Sequence, residues 1–188
     1  MMLNFERYDR QIKLQGFGLD AQKKLASAKV LVIGAGGLGC PVLQYLAAAG
    51  IGNICIVDDD TVSLSNLHRQ VLYTSDDIGK LKTEASAERL IAMNPELKIN
   101  IISERISTEN AVEIVQDYDW VIDCTDNFPA RYLIDDICRI LKKPLIFGAI
   151  YQYEGQVAVF NVQDNEGITT SYRDLFPNPP KPGEVVDC

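Results

Sequence analysis

No apolar run in this 188-residue sequence approaches the roughly 20 residues needed to cross a bilayer. The start, Met1-Met2-Leu3-Asn4-Phe5-Glu6-Arg7, lacks the basic-then-apolar order of a secretory signal. Cations are in the minority: 18 Lys and Arg stand against 26 Asp and Glu, a net charge of −8. That balance argues against a nucleic-acid backbone or an anionic membrane as partner, because both need a basic footprint. A few placed arginines and lysines could still hold a small anion. The cysteines, Cys40, Cys55, Cys124, Cys138 and Cys188, include no C-x-x-C pair, which excludes a zinc knuckle or a thioredoxin-type site. The first four lie within apolar patterns and are expected to pack as small hydrophobes. No G-x-x-x-x-G-K-[ST] occurs, since Gly79-Lys80 is followed by Leu81, so a P-loop is not written here. The lone histidine, His68, sits between Leu67 and Arg69 and is expected to be a loop residue rather than an acid or base. These absences predict a soluble cytoplasmic protein of one domain over 1–188.

What is present is an alternation of short apolar runs and amphipathic stretches. Strands are predicted at 29–33, 53–57, 98–102, 120–124, 144–147 and 155–161. Helices are predicted at 20–28 (capped by Asp20), 39–49, 79–93, 107–116 and 127–141. A long polar loop is expected from Thr61 to Asp76. Such alternation implies an α/β fold: a Rossmann-like, mostly parallel sheet with helices on both faces and antiparallel pairing near the C-terminal end. The organisation read from it is a helical segment 1–28, a core 29–161 and a polar, Pro-rich tail 162–188 expected to be loop.

Gly34-x-Gly36-x-x-Gly39 lies directly between a strand and a helix. Glycines there allow a tight turn and close approach of backbone to a phosphate. Asp58 follows at the end of the second strand, where a carboxylate can accept from ribose hydroxyls. Simple packing of a βαβ unit is the alternative, but strand, helix and acid in register favour a nucleotide. This pattern does not separate NAD from ATP.

The segment Asp58-Asp-Asp-Thr-Val-Ser-Leu-Ser-Asn-Leu-His-Arg-Gln70 breaks that tie. It sets Asn66, Arg69 and Gln70 beyond a strand end, with Lys82 in the next helix and Asp126 and Asn127 beyond the fourth strand. Two cations and a carboxylate thus gather on the carboxyl rim, where open α/β sheets bind ligands. Attack of a carboxylate on the α-phosphate of ATP needs that set: cations against phosphate charge and an acid for Mg²⁺. Lys82 alone could be a solvated helix residue and Asp126 alone a helix cap; their coincidence argues otherwise. Hydride transfer has no use for such a rim, which counts against an NAD-dependent oxidoreductase.

Arg7-Tyr-Asp-Arg-Gln-Ile-Lys-Leu14, Gly34 to Cys40, Asp60 to Gln70, Gly79-Lys-Leu-Lys82, Asn94-Pro95, Asp123-Cys-Thr-Asp-Asn127 and Glu154 to Phe160 occur in order. Together they resemble the ThiF/MoeB/HesA family, the bacterial relatives of ubiquitin-activating enzymes, from about residue 5 to 188. The resemblance implies an adenylyltransferase acting on the C-terminal glycine of a ubiquitin-like sulfur carrier ending in Gly-Gly, in molybdopterin, thiamin or related biosynthesis. It implies ATP and Mg²⁺, with Gly34, Gly36, Gly37, Gly39, Asp58, Ser65, Asn66, Leu67, His68, Arg69, Gln70, Lys82, Asp126 and Asn127 around the nucleotide. Within that set Asn66, Arg69 and Lys82 would hold phosphates and Asp126 the Mg²⁺. Arg10 resembles an arginine supplied across a homodimer interface to complete the partner's site, in the manner of an arginine finger.

Many family members carry structural zinc on two Cys-x-x-Cys pairs. Here Asp174 stands where a cysteine is expected, and no zinc is predicted. Members generally continue past this point with a further strand and helix, so a truncated chain is expected. Cys188 is a candidate for persulfide or thioester formation, although Glu184 and Asp187 beside it disfavour a thiolate. Two further readings remain at this stage, an adenylating tRNA-modification enzyme and a non-catalytic nucleotide-binding scaffold. Retention of Arg10, Arg69, Lys82 and Asp126 together argues against the scaffold.

Overall fold

The computed structural model describes residues 5–163, 167 and 169–180. Its strands are β1 (Lys29–Ile33), β2 (Asn53–Val57), β3 (Lys98–Ile102), β4 (Trp120–Asp123), β5 (Leu145–Tyr151) and β6 (Glu154–Phe160). Its helices are α1 (Asp9–Ile12), α2 (Gly18–Ser27), α3 (Gly39–Ala49), α4 (Lys82–Met93), α5 (Ala111–Val115), α6 (Phe128–Ile140) and α7 (Tyr172–Leu175). The strands form one sheet in the order β3-β2-β1-β4-β5-β6. The first five run parallel, and β6 returns antiparallel beside β5.

Each central strand is buried on both faces, as parallel strands covered by helices must be. Leu31 and Ile33 of β1 enter one core layer with Val115, Ile134, Ile137 and Phe147. Val30 and Val32, one residue out of phase, enter the other with Leu43, Ala47, Ala85 and Leu90. The chain runs from β3 on one side of β1 to β4 on the other, so the strand order reverses between β1 and β4. The connections that leave their carboxyl ends run to opposite faces of the sheet, with α3 in one core layer and α6 in the other, and leave a crevice, the place where doubly wound sheets bind ligands.

Four departures from the sequence expectation have local causes. The helix expected from Gly79 begins at Lys82, because Gly79 adopts a left-handed φ of +90° and Leu81 bridges to Thr61. The helix expected over 107–116 keeps only Ala111–Val115. Before it, Asn110 accepts from the Ser107 amide and donates to the Arg105 carbonyl, closing a turn that competes with helix. The polar loop after Asp60 is pinned by buried Val62, Leu72 and Tyr73 and contains short 3-10 turns at Leu64–Asn66 and Ser75–Asp77. Asp20 lies within the first turn of α2 rather than capping it.

The tail departs further. Residues 162–188 read as loop, yet α7 seats Tyr172 (3% exposed) in the core. Its ring centroid lies 5.1 Å from those of Tyr132 and Phe147 and 4.9 Å from that of Phe176. Buried Asp135 accepts from the Tyr172 amide at 3.0 Å, and Asp136 receives both Nε and Nη2 of Arg173 at 2.6 and 2.7 Å. Asp174, at the position of an expected family cysteine, accepts from the Ser171 amide and hydroxyl and so closes a capping box. Two aromatics, Tyr172 and Phe176, inside a polar stretch carry too little periodicity to reveal this docking in advance.

Among the described residues no helix is long and apolar enough to cross a membrane. Tyr172→Ala should destabilise the fold by about 3 kcal/mol through the cavity it leaves, read as a lowered urea midpoint. An unchanged midpoint would show that α7 is not part of the core.

Candidate active site

The crevice at the β1/β4 switch holds a cleft of about 670 Å³, within the size range of small-molecule sites. One wall is the turn from β1 into α3. Gly34 has a φ of +95°, and a Cβ there would lie 2.7 Å from the Cys124 carbonyl oxygen. At Gly39 a Cβ would meet the Gly34 carbonyl oxygen at 2.0 Å. Both positions therefore exclude side chains for reasons of backbone packing. Gly36 and Gly37 line the cleft itself. The Arg69 side chain runs across Gly37, its Cδ 3.5 Å from where a Cβ would stand.

Asp58 leaves β2 at the second wall. Its carboxylate accepts from the Ala35 amide at 2.7 Å and the Asp60 amide at 2.8 Å, tying the β2 end to the glycine turn. Burial pushes its carboxyl up, while those two amides and the nearby Lys82 pull it down. The oxygens of Asp58, Asp59 and Asp60 lie within 4.8 Å of one another, yet each carboxylate is already engaged. Asp60 pairs with the Lys82 ammonium at 2.7 Å, and Asp59 with Arg105 at 3.1 Å. Lys82 is the first residue of α4, and its side chain is only 5% exposed. It is therefore a buried cation of the cleft and not a solvated helix lysine.

The third wall comes from β4 and α6. Asn127 caps α6, accepting from the Ala130 amide at 3.0 Å. Asp126 is thereby released from the capping role that it could have taken and lies exposed on the cleft lining. Among the described residues it makes no hydrogen bond or ion pair.

The cleft thus unites Gly34, Gly36, Gly37, Asp58, Arg69, Gln70, Lys82, Asp126 and Asn127. Other predicted residues stand outside its lining. Gly39 serves packing. Asn66 accepts from Arg69 Nη2 at 3.2 Å and His68 Nε2 lies 3.4 Å from Arg69 Nη1, so both buttress the arginine. Ser65 lies 3.0 Å from the Ser63 hydroxyl, and Leu67 packs against the core. Arg10 is exposed on α1, which docks at the far end of α3 through Gln11 Nε2 to the Ala49 carbonyl at 2.8 Å. Cys188 lies outside the described residues. Cys40, Cys55, Cys124 and Cys138 are buried and free, as expected, and burial pushes each thiol up.

Sequence reasoning missed Arg105, Thr125, Arg131 and Gln152, which also line the cleft. Arg131 was the traceable one: it follows Asn127 by four residues and so shares its helix face. Gln70 is 3% exposed with Oε1 buried and without a partner. An orphaned acceptor beside two bare glycines and two cations fits a polyanionic ligand carrying N–H or O–H donors, as a nucleotide does.

Fold and cleft define a Rossmann-like α/β domain with a charged crevice at its switch point. The chain belongs to the ThiF family, whose sequence profile matches residues 8–188. It is 51% identical over 184 residues to the sulfur carrier protein adenylyltransferase of Thermus thermophilus, covering 97% of this chain and 68% of that protein. It is 46% identical over 182 residues to the probable adenylyltransferase/sulfurtransferase MoeZ of Mycobacterium tuberculosis, covering 97% of this chain but 46% of that one. Among solved structures, the tRNA N6-threonylcarbamoyladenosine dehydratase TcdA of E. coli in complex with ATP superposes with a TM-score of 0.71 at 31% identity. That match covers 76% of this chain and 58% of the other. The chain therefore spans from under half to about two thirds of the length of these relatives.

Asp123, at the end of β4, is 1% exposed. Burial pushes its carboxyl up to about 6, against the pull of the Thr125 amide and hydroxyl and of nearby Arg131. A folded-state value above the unfolded one of about 4 favours the folded state while the group is protonated. That contribution is fully present below about pH 4 and is lost as pH rises through about 6, a span worth roughly 3 kcal/mol. Asp123→Asn cannot ionise, so its stability relative to the parent should rise between pH 4.5 and 7.5. Urea midpoints at both pH values test this, and a constant difference would refute it.

Proposed function

We propose that this chain is the adenylation domain of a cytoplasmic adenylyltransferase that activates the C-terminal glycine carboxylate of a ubiquitin-like sulfur carrier with ATP. The observation that carries the reading is the convergence of Arg69, Lys82 and Asp126 on the glycine turn, in one cleft with Asp58. The 51% identity to a sulfur carrier protein adenylyltransferase supports the substrate class.

In this reading a carboxylate oxygen of the carrier attacks the α-phosphorus of ATP. A P–O bond forms, the bond from that phosphorus to the bridging oxygen of the β-phosphate breaks, and pyrophosphate leaves with both electrons. Two anions must meet, so the protein's task is charge compensation and alignment rather than nucleophilic side-chain chemistry. Asp58 would accept from the ribose hydroxyls, Gly36 and Gly37 would admit the phosphates to the backbone, and Arg69 and Lys82 would neutralise them. Lys82 must exchange Asp60 for phosphate to do so. Asp126, a free hard-oxygen donor on the cleft wall, fits Mg²⁺, which takes one or two protein carboxylates and keeps its waters. When bound, that ion supplies further neutralisation of phosphate charge.

Arg10 cannot serve its own cleft from the far end of α3, a helix of 11 residues and so roughly 16 Å long. That position supports its use by a second copy in a homodimer. A tRNA-modifying reading is favoured by the likeness to TcdA, but a net charge of −8 opposes binding of an RNA backbone.

ATP–pyrophosphate exchange with carriers ending in Gly-Gly tests the proposal. Exchange should appear with one carrier and fall on the order of 10²–10³-fold in Asp126→Ala. Full activity in that variant would remove the metal role, and no exchange with any carrier would move weight to the RNA substrate. Separately, mixing inactive Arg10→Ala with inactive Arg69→Ala should restore part of the activity, because hybrid dimers regain one complete site. Confirmed hybrid dimers without recovery would eliminate the trans arginine.

A further inference from the structure

Arg131 is a buried cation that the mechanism above does not use. It is 8% exposed on α6, lines the cleft, and forms no ion pair among the described residues. Its guanidinium lies 5.1 Å from the Phe128 ring centroid and 5.6 Å from that of Phe147. Nη2 donates to the Thr125 carbonyl at 3.3 Å, and the Tyr172 hydroxyl is a further polar neighbour. Nε is buried with no partner. Asp123 is close enough to feel the charge, yet its Oδ1 is taken by the Thr125 amide and hydroxyl and its Oδ2 is unpartnered. A guanidinium stacked in place, so far from water and so sparsely bonded, is unusual, since buried charges are normally paired and hydrogen-bonded. Aromatic packing presets its orientation and leaves donor capacity unspent.

Its place in the cleft indicates which anion it awaits. Asp58 at β2 and the glycine turn after β1 define the nucleotide side. Arg131 stands across the switch, over β5, on the same wall as Asp126, with Ile150 and Gln152 beyond it. Resting on the adenylation reading, we propose that Arg131 binds the carboxylate of the incoming acyl substrate and orients it toward the α-phosphate. Arg69 and Lys82 are left for the nucleotide. The site would then separate its two anions onto different cations before they meet.

The test uses octapeptides ending in Gly-Gly, one as free acid and one as amide, titrated onto the intact chain with α,β-methylene ATP present. The parent should bind the acid about 10-fold or more tightly than the amide, as expected for a hydrogen bond to a charged group. Arg131→Gln should bring that ratio close to one without changing the affinity for the ATP analogue, and Arg131→Lys should retain part of it. Thermal unfolding of both variants separates lost recognition from lost fold, and the parent and the lysine variant suffice if the glutamine variant does not fold. A ratio near one in the parent, no binding of either peptide, or a parental ratio in a folded variant would each overturn the proposal. Preferential binding of the acid without pyrophosphate exchange for any carrier would keep the carboxylate site and reject the adenylation chemistry.

Discussion

The contact on which the rest depends is between backbones: the Gly34 carbonyl, the start of α3 at Gly39 and the Cys124 carbonyl packed without side chains between them. With a Cβ at Gly39 standing 2.0 Å from Gly34 oxygen and one at Gly34 standing 2.7 Å from Cys124 oxygen, α3 could not begin so near the sheet. The ends of β1 and β4 could not then close on one another beneath the crevice. Because this turn is tight, the Ala35 amide can reach Asp58 and the Ala35 carbonyl can accept from the buried Tyr73 hydroxyl at 2.7 Å. That tyrosine also lies 3.0 Å from the Ser86 hydroxyl of α4, the helix that presents Lys82. Glycine turn, Asp58 and Lys82 are thus held as one rigid unit, which is the preorganisation an electrostatic site requires.

Within that unit the charges satisfy one another. Lys82 with Asp60 and Arg105 with Asp59 are not equivalent pairs. The Arg105 pair is exposed and screened, worth little to stability and easily opened. Lys82 is buried while Asp60 is 63% exposed, so the carboxylate can swing into water at small cost while the ammonium stays. On the proposed reading, an entering phosphate would then take over a desolvated cation whose position is already set. The asymmetry makes exchange of partners easier than it would be were both groups buried.

The succession of apolar runs made the sheet legible, because strands buried on both faces read as nearly continuous apolar stretches. β1 and β2 fall where that pattern puts them, β3, a largely exposed edge strand, falls where its alternation puts it, and β5 runs on to Tyr151 because β6 pairs along its full length. Of the site, the residues that belong to local motifs were visible: the glycines, Asp58, and Arg69 with Asn66 three residues before it. Invisible were contributions that only the fold brings in. Arg105 arrives from the segment after β3 and Gln152 from the β5–β6 turn, whereas Arg131 was traceable only through Asn127, on a helix whose pattern otherwise looks like ordinary amphipathicity. The coincidence of Lys82 with Arg69 and Asp126 assigns it to the rim, but the depth of its burial was not legible in Gly79-Lys-Leu-Lys82 itself.

Helix α6 ties the remaining parts together. One side of it puts Ile134, Ile137 and Cys138 into the core, and its first turns put Asn127, Ala130 and Arg131 into the cleft. A third set, Tyr132, Asp135 and Asp136, receives α7. Tyr172 thereby sits against Phe147, the same ring that supports the Arg131 guanidinium. Docking of the tail and orientation of the cleft arginine therefore share one aromatic cluster. A packed cluster of this kind does not deform smoothly. Any element that shifts α7 must alter the floor on which Arg131 rests, so the segment that reads as the least structured is coupled most directly to the far wall of the cleft.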